Sequence, residues 1–232
     1  MVSNYNFKPF KHSSHHKIID LVERNKKVLD VGCASGYIAS ILKKKNCYVF
    51  GIDNSKEELK NAKKHCDKVA LLDISKDKIN GKYDVIILGD ILEHLLDPGV
   101  VLKKLSNNLN EGGYIIISLP NIANIHPRLS LLLGKFDYTN IGILDKTHLK
   151  FFTLKTFREL VRGSGYELIS MQTTPIPIHL AFPNIPKSLL NLFYSMLNIS
   201  SKVWPTMFGY QFVAKVKWKR KKNRKKIKWM VY

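Results

Sequence analysis

The side chains best suited to chemistry in this sequence are two histidines and a row of carboxylates. His148 sits in LDKTH three residues after Asp145, a carboxylate able to orient an imidazole, and His94 closes GDILEH. An imidazole titrating near neutrality can take the proton from a hydroxyl as that oxygen becomes a nucleophile, an effect typically of about 100- to 10,000-fold. His148 is the expected base and His94 the second candidate. A structural hydrogen bond is the plainer role for each, and His65, at a predicted helix end, reads as a surface residue. Asp90 and Glu93 could join His94 around a metal ion, but they crowd one short stretch without a further clear ligand, so no metal is expected. The segment VLDVGCASGYIA, residues 28–39, places a strand, a glycine-bearing turn and a helix start in succession. Backbone between Gly32 and Gly36 can therefore approach a nucleotide-like ligand closely. Ala34 stands where a glycine-rich turn would have its middle glycine. Stronger support comes from Asp53, 21 residues after Gly32, where a carboxylate accepts hydrogen bonds from ribose hydroxyls. Asp73, in LLDIS at the next strand tip, suits an adenine amino group, with Ile74 beside the ring.

These residues share one crevice only if several strands end at the same edge of a sheet. Apolar runs alternate with amphipathic stretches from residue 15 to about residue 172, the pattern of βαβ units around a parallel sheet. Strands are predicted in KKVLDVG, CYVFGID, KVALLD, YDVIILG and GGYIIISL, then in YELISMQTT and GYQFVAKVKW, making seven. Helices are predicted in KIIDLVERN (17–25), in YIASILKKKN, and in SKEELKNAKKH, where Ser55 and Glu58 have capping-box spacing. PGVVLKKLSNNL is a further helix, ended by Asn110, Gly112 and Gly113, and Leu154 to Arg162 another, ended by Gly163 and Gly165. The organisation that follows is an N-terminal tail (1–14), a folded domain (15–217) and a basic C-terminal tail (218–232). Within the domain, residues 175–207 form an apolar insert too long for a turn, in which SLLNLFYSMLNI suits a helix. It can pack as a subdomain or dimer face, or serve as a lid or a membrane contact.

With 45% hydrophobic and 24% charged residues, the chain is neither disordered throughout nor of low complexity. Three cysteines without metal-ligand spacing fit neither a disulfide framework nor a zinc ribbon, so a reducing cytoplasm is expected. Neither a secretory leader nor a membrane-spanning run is predicted. The formal charge of +20 is uneven: KVKWKRKKNRKKIK, residues 215–228, holds ten basic side chains and no acid. Such a run can be a solvated tail, but Trp218 and Trp229 favour an anionic membrane surface, and RNA would also suit it.

The motifs together resemble the class I S-adenosylmethionine-dependent methyltransferases. VLDVGCASG is similar to their first motif, FGIDNS to the acidic second-strand motif, LLDIS to the adenine-contacting turn, YDVIILGDILEHLLDP to the fourth-strand motif and LNEGGYIIISLPN to the fifth, in order over residues 27–121. The resemblance implies an α/β, Rossmann-like seven-stranded sheet, mostly parallel, with helices on both faces and an antiparallel last strand. It further implies S-adenosylmethionine as cofactor. Asp30, Gly32, Cys33 and Gly36 would hold the methionine end and the loop around it, Asp53 and Asn54 the ribose, Asp73 and Ile74 the adenine, and Gly89 with Asp90 the amino-acid portion or methyl side. Residues 119–168, with DKTHLKFFT, and WPTMFGYQFVAKV resemble a subgroup associated with cell-envelope polysaccharide and glycolipid synthesis. A related subgroup is involved in methionine biosynthesis. The acceptor expected is an oxygen or nitrogen of a sugar or lipid-linked glycan precursor, reached in the cytoplasm or at the inner face of the membrane.

Three other readings compete. A nicotinamide-dependent oxidoreductase would carry GxGxxG, whereas this turn reads GCASG. A nucleic-acid methyltransferase would exploit the basic tail, but the fourth strand ends in GDIL without a base-gripping Pro-Pro-aromatic motif. A non-catalytic partner-binding module would keep the cofactor fold and act through the tail and insert; intact cofactor motifs speak against it.

Overall fold

The computed structural model describes residues 12–178 and 187–219. Seven strands form one sheet: β1 Lys27–Val31, β2 Tyr48–Asp53, β3 Lys68–Leu71, β4 Tyr83–Gly89, β5 Leu109–Pro120, β6 Tyr166–Thr174 and β7 Gln211–Trp218. Their order is β3-β2-β1-β4-β5-β7-β6. Neighbours among β1 to β5 pair in parallel, and β7 runs antiparallel between β5 and β6, so the expected architecture stands. Eight α-helices are described: α1 Ser14–Leu21, α2 Tyr37–Leu42, α3 Lys56–Ala62, α4 Pro98–Leu105, α5 Ile125–Leu132, α6 Leu154–Gly163, α7 Lys187–Val203 and α8 Pro205–Phe208.

Sheets covered on both faces need strands that are apolar throughout, which is why YDVIILG shows no alternation. Val28, Val85, Ile87 and Ile116 pack with Ile18, Ile38 and Leu59 of α1, α2 and α3. Leu29, Ile86, Leu88 and Ile117 pack on the opposite face with Leu102 of α4 and Phe157 of α6. The parallel strands end together, bringing Val31, Asp53, Leu71 and Gly89 to one edge.

Several local expectations are corrected. The first helix begins earlier than Lys17, because the Ser13 side chain caps it by accepting the His16 N–H, and it ends before Val22. Ser55 caps α3 by accepting the Glu58 N–H at 3.3 Å, but its own N–H goes to Asp53 Oδ1 at 2.8 Å, the bond that a capping box would give to Glu58. Helix α4 stops at Leu105, and Asn110, Gly112 and Gly113 lie within β5, where pairing with β4 is irregular between Tyr83 and Val85. The apolar insert supplies α7 and α8; its residues 179–186, like residues 1–11 and the tail 220–232 with Trp229, lie outside the described residues. No helix among the described residues is long and apolar enough to cross a membrane.

Candidate active site

The turn after β1 is built around left-handed backbone at Gly32 (φ +68°), Ala34 (φ +43°) and Gly36 (φ +78°). A Cβ on Gly32 would lie 2.2 Å from Ile91 Cδ1, and one on Gly36 would lie 2.9 Å from the Ala62 Cα, so glycine lets the turn press against α3. Most amides of this turn are engaged within the protein. Gly32 N–H and Cys33 N–H both donate to Ile52 O, Gly36 N–H to Cys33 O, and Ala34 N–H to Asp53 Oδ2 at 2.9 Å. The turn therefore offers close approach rather than a row of open donors. The Cys33 thiol is buried in the core, where a Cβ on Gly51 would meet it and Cys66, so its share in the crevice is confined to backbone.

Asp30, beside this turn, is 2% exposed, and its Oδ2 has no hydrogen-bond partner among the described residues. Burial first, and the Asp53 charge second, push its carboxyl up to about 7. A buried acid left in this state suits a cationic ligand group, which would stabilise its charged form. At the end of β2, Asp53 has both oxygens engaged by backbone, from Ala34 and Ser55, and Asn54 beside it is exposed. Each of those oxygens keeps acceptor capacity for a hydroxyl. Asp73 Oδ1 accepts from Ser75 N at 2.9 Å and Ser75 Oγ at 2.6 Å, which holds its carboxyl below the usual range. Ile74 is buried in the core next to it.

At the end of β4, Gly89 lies under Ile18 of α1, and Asp90 adopts left-handed backbone with φ +56°. Its carboxylate is held by two neighbouring strands: Ser118 Oγ donates to Oδ1 at 2.5 Å, and Gln211 Nε2 lies 2.9 Å from each oxygen. Ser118 and Gln211 lie within the segments LNEGGYIIISLPN and WPTMFGYQFVAKV, but spacing alone gives neither a role at Asp90.

The two candidate histidines meet. Leu149 and Lys150 N–H groups both donate to Glu93 O, pinning the segment after His148 to the turn after β4. The His94 and His148 rings stand edge to face with centroids 4.8 Å apart. His148 Nδ1 lies 3.0 Å from Ile143 O; since a carbonyl only accepts, this nitrogen carries the proton and Nε2 keeps its lone pair. Burial lowers the pKa of His148, which favours the neutral ring. The orienting group on Nδ1 is thus a carbonyl rather than the expected Asp145 carboxylate, whose Oδ1 accepts from Thr147 N and Oγ1 at 2.8 and 2.7 Å. His94 Nδ1 faces Thr147 O and Oγ1, each at 3.2 Å. Tyr210 also belongs here: its hydroxyl bonds the Ile143 backbone, and burial with the Asp90 charge pushes it up to about 12. Glu93, His94 and His148 place one potential ligand atom each within 4.8 Å of the others, a grouping unlike the Asp90, Glu93 and His94 set considered from sequence.

A glycine turn, acidic strand ends and an antiparallel seventh strand define a class, the S-adenosylmethionine-dependent methyltransferase fold. A methyltransferase of that kind from Thermotoga maritima superposes with TM-score 0.62 at 16% identity, covering 90% of each chain. More particularly, the chain belongs to the methyltransferase-domain family, which it matches over residues 10–171. It shares the fold of a SAM-dependent methyltransferase from Archaeoglobus fulgidus (TM-score 0.60, 18% identity) and of the magnesium protoporphyrin IX methyltransferase from Synechocystis, a structure with bound SAH (TM-score 0.58, 16% identity). The chain is 30% identical over 117 residues to a ubiquinone biosynthesis O-methyltransferase of Shewanella halifaxensis, covering 47% of this chain and 49% of the relative. To the protein of the same name from Psychrobacter arcticus it is 27% identical over 180 residues, covering 71% and 69%. The match thus spans about half of the first relative and about two thirds of the second. Both carry a name from ubiquinone biosynthesis, not from envelope polysaccharide synthesis.

The residues present fit this cofactor. Asp30 would face its cationic amino-acid end and Asp53 its ribose, and the Gly32 turn gives it room. When bound, the cofactor supplies an electrophilic methyl group. What the chain must add is alignment of an acceptor, exclusion of water and, for a hydroxyl, a place for its proton.

Proposed function

We propose that this protein methylates a hydroxyl oxygen on a lipid-linked small molecule, with His148 Nε2 as the proton acceptor, working at a membrane surface. The observation that carries this reading is the His148 Nδ1 to Ile143 O bond, which leaves the lone pair on Nε2 of a buried ring. The relatives' O-methyltransferase name supports an oxygen over a nitrogen. A sugar hydroxyl on a lipid-linked glycan precursor remains within this reading, and the ubiquinone relatives add phenols carrying an apolar chain as a second group to assay. Nucleic acid is the weaker acceptor, since the groups gathered at the site are histidine, tyrosine and carboxylate rather than phosphate-binding cations.

The test is methyl transfer from labelled S-adenosylmethionine to lipid-linked sugars and to prenylated phenols. His148→Gln is expected to lower kcat by about 100-fold or more while leaving cofactor affinity unchanged. Transfer at the wild-type rate by His148→Gln would remove the base from the mechanism.

The grouping of Glu93, His94 and His148 favours one second reading, a divalent cation that orients the acceptor oxygen. Chelation separates the two. A rate unchanged by chelator supports the histidine base, and a rate lost with chelator and restored by Mg²⁺ or Mn²⁺ supports the cation.

A further inference from the structure

Helix α7 is apolar on the side that faces water. Its inner side is fixed by buried Tyr194 and Ser201, seven residues apart, with Thr173 Oγ1 of β6 donating to Ser201 O at 2.9 Å. That attachment turns Leu192, Met196, Ile199 and Val203 outward at spacings of four, three and four, and they are 57%, 58%, 61% and 81% exposed. A soluble surface helix places polar residues there, and one apolar on both sides needs a second apolar environment. Helix α5 repeats the feature: Leu129, Leu132 and Leu133 are exposed at its C-terminal end. The two helices belong to one corner of the molecule. Asn121 Nδ2 donates to Thr206 O and Gly209 O, and Asn124 Nδ2, at the start of α5, donates to Gly209 O, just past α8. The same short segment leads to the histidines, because Ile122 N–H donates to Phe152 O, shortly after His148.

The stretch of chain that carries α7 has charge of one sign. Glu167 is the last acidic residue in the chain, and the 65 residues after it hold 12 Lys and Arg. Trp204, at the end of α7, is exposed, and indoles favour the headgroup layer.

We propose that the outward faces of α7 and α5 form a docking surface for an anionic phospholipid bilayer, with apolar side chains entering the interface and the acid-free C-terminal segment meeting lipid phosphates. Apolar area and cations together are what interfacial helices use; each basic residue near an anionic surface adds roughly fivefold in partitioning. A second copy of the chain fits this surface less well, since it would bring two acid-free segments together. Nucleic acid offers no apolar partner for Leu192, Met196 and Ile199. This inference rests on the membrane part of the proposed function and deepens it.

Flotation of the full chain tests it, with vesicles of phosphatidylcholine alone and vesicles with roughly one third phosphatidylglycerol. Wild type is expected to float with the anionic vesicles. Leu192→Gln/Met196→Gln/Ile199→Gln and, separately, Leu132→Gln/Leu133→Gln are expected to lower binding at least tenfold, with thermal unfolding and cofactor binding unchanged. Failure of wild type to float overturns the inference. So does flotation of both variants at the wild-type level, which would assign binding to charge alone, or a wild-type dimer that the α7 variant turns into monomer. Cofactor binding and methyl transfer to a detergent-solubilised acceptor, measured on the same samples, report on the catalytic reading independently.

Discussion

Asp53 Oδ2 accepts the Ala34 N–H at 2.9 Å, so the carboxylate at the end of β2 fixes the turn that follows β1. One side chain thereby does two things: it braces a left-handed turn and stands at the edge where ribose hydroxyls would be held. Asp53→Ala is expected to weaken S-adenosylmethionine binding by tenfold or more in calorimetric titration. Asp53→Asn, which keeps an acceptor oxygen for the turn, is expected to retain more of the fold's stability than of the affinity. Equal affinity for wild type and both variants would separate Asp53 from the cofactor.

Ala34 holds φ +43°, a region in which an L side chain costs roughly 1–2 kcal/mol. Ala34→Gly removes that strain and loses part of the gain to the greater freedom of the unfolded chain. The expected outcome is a rise in stability of about 0.5–1 kcal/mol, read as a higher urea midpoint with unchanged slope.

Asp30 predicts a pH dependence with a definite sign. Its folded-state pKa, about 7, lies above its ordinary value of 3.8, so the folded chain keeps a proton that the unfolded chain releases. Stability from this group is complete below about pH 4, falls as pH rises towards 7, and is level above that. Asp30→Asn is expected to flatten the stability profile between pH 4 and 7 in urea titrations. A cation bound beside Asp30 favours the charged form, so cofactor affinity is expected to rise with pH across the same interval in wild type and to lose that trend in Asp30→Asn.

Gln211 Nε2 and Ser118 Oγ are the donors that hold the Asp90 carboxylate across β4, β5 and β7. Gln211→Leu leaves that half-buried carboxylate short of two bonds. A loss of about 1–3 kcal/mol in unfolding free energy is expected. Asn at position 90 tolerates left-handed backbone, so combining Gln211→Leu with Asp90→Asn is expected to recover part of the loss, giving a measurable coupling in a double-mutant cycle.

Much of the fold is written in local pattern. Unbroken apolar runs such as YDVIILG can lie only in a sheet covered on both faces, and the positions of Gly32, Gly36 and Asp53 follow from one strand–turn–helix unit and the strand after it. Those features are local, so spacing alone reveals them. What chain spacing does not carry is which distant groups the tertiary structure brings together. Ser118 comes to Asp90 through the parallel pairing of β4 with β5, and Gln211 and Tyr210 come to Asp90 and Ile143 because β7 inserts antiparallel beside β5, pairings of residues far apart in the chain. The partner of His148 Nδ1 is likewise decided by a loop closing on itself at Ile143, where a carbonyl takes the place foreseen for Asp145. The direction of α7 is fixed in the same way: only the bond of Ser201 to Thr173 of β6 and the burial of Tyr194 decide that Leu192, Met196 and Ile199 face outward.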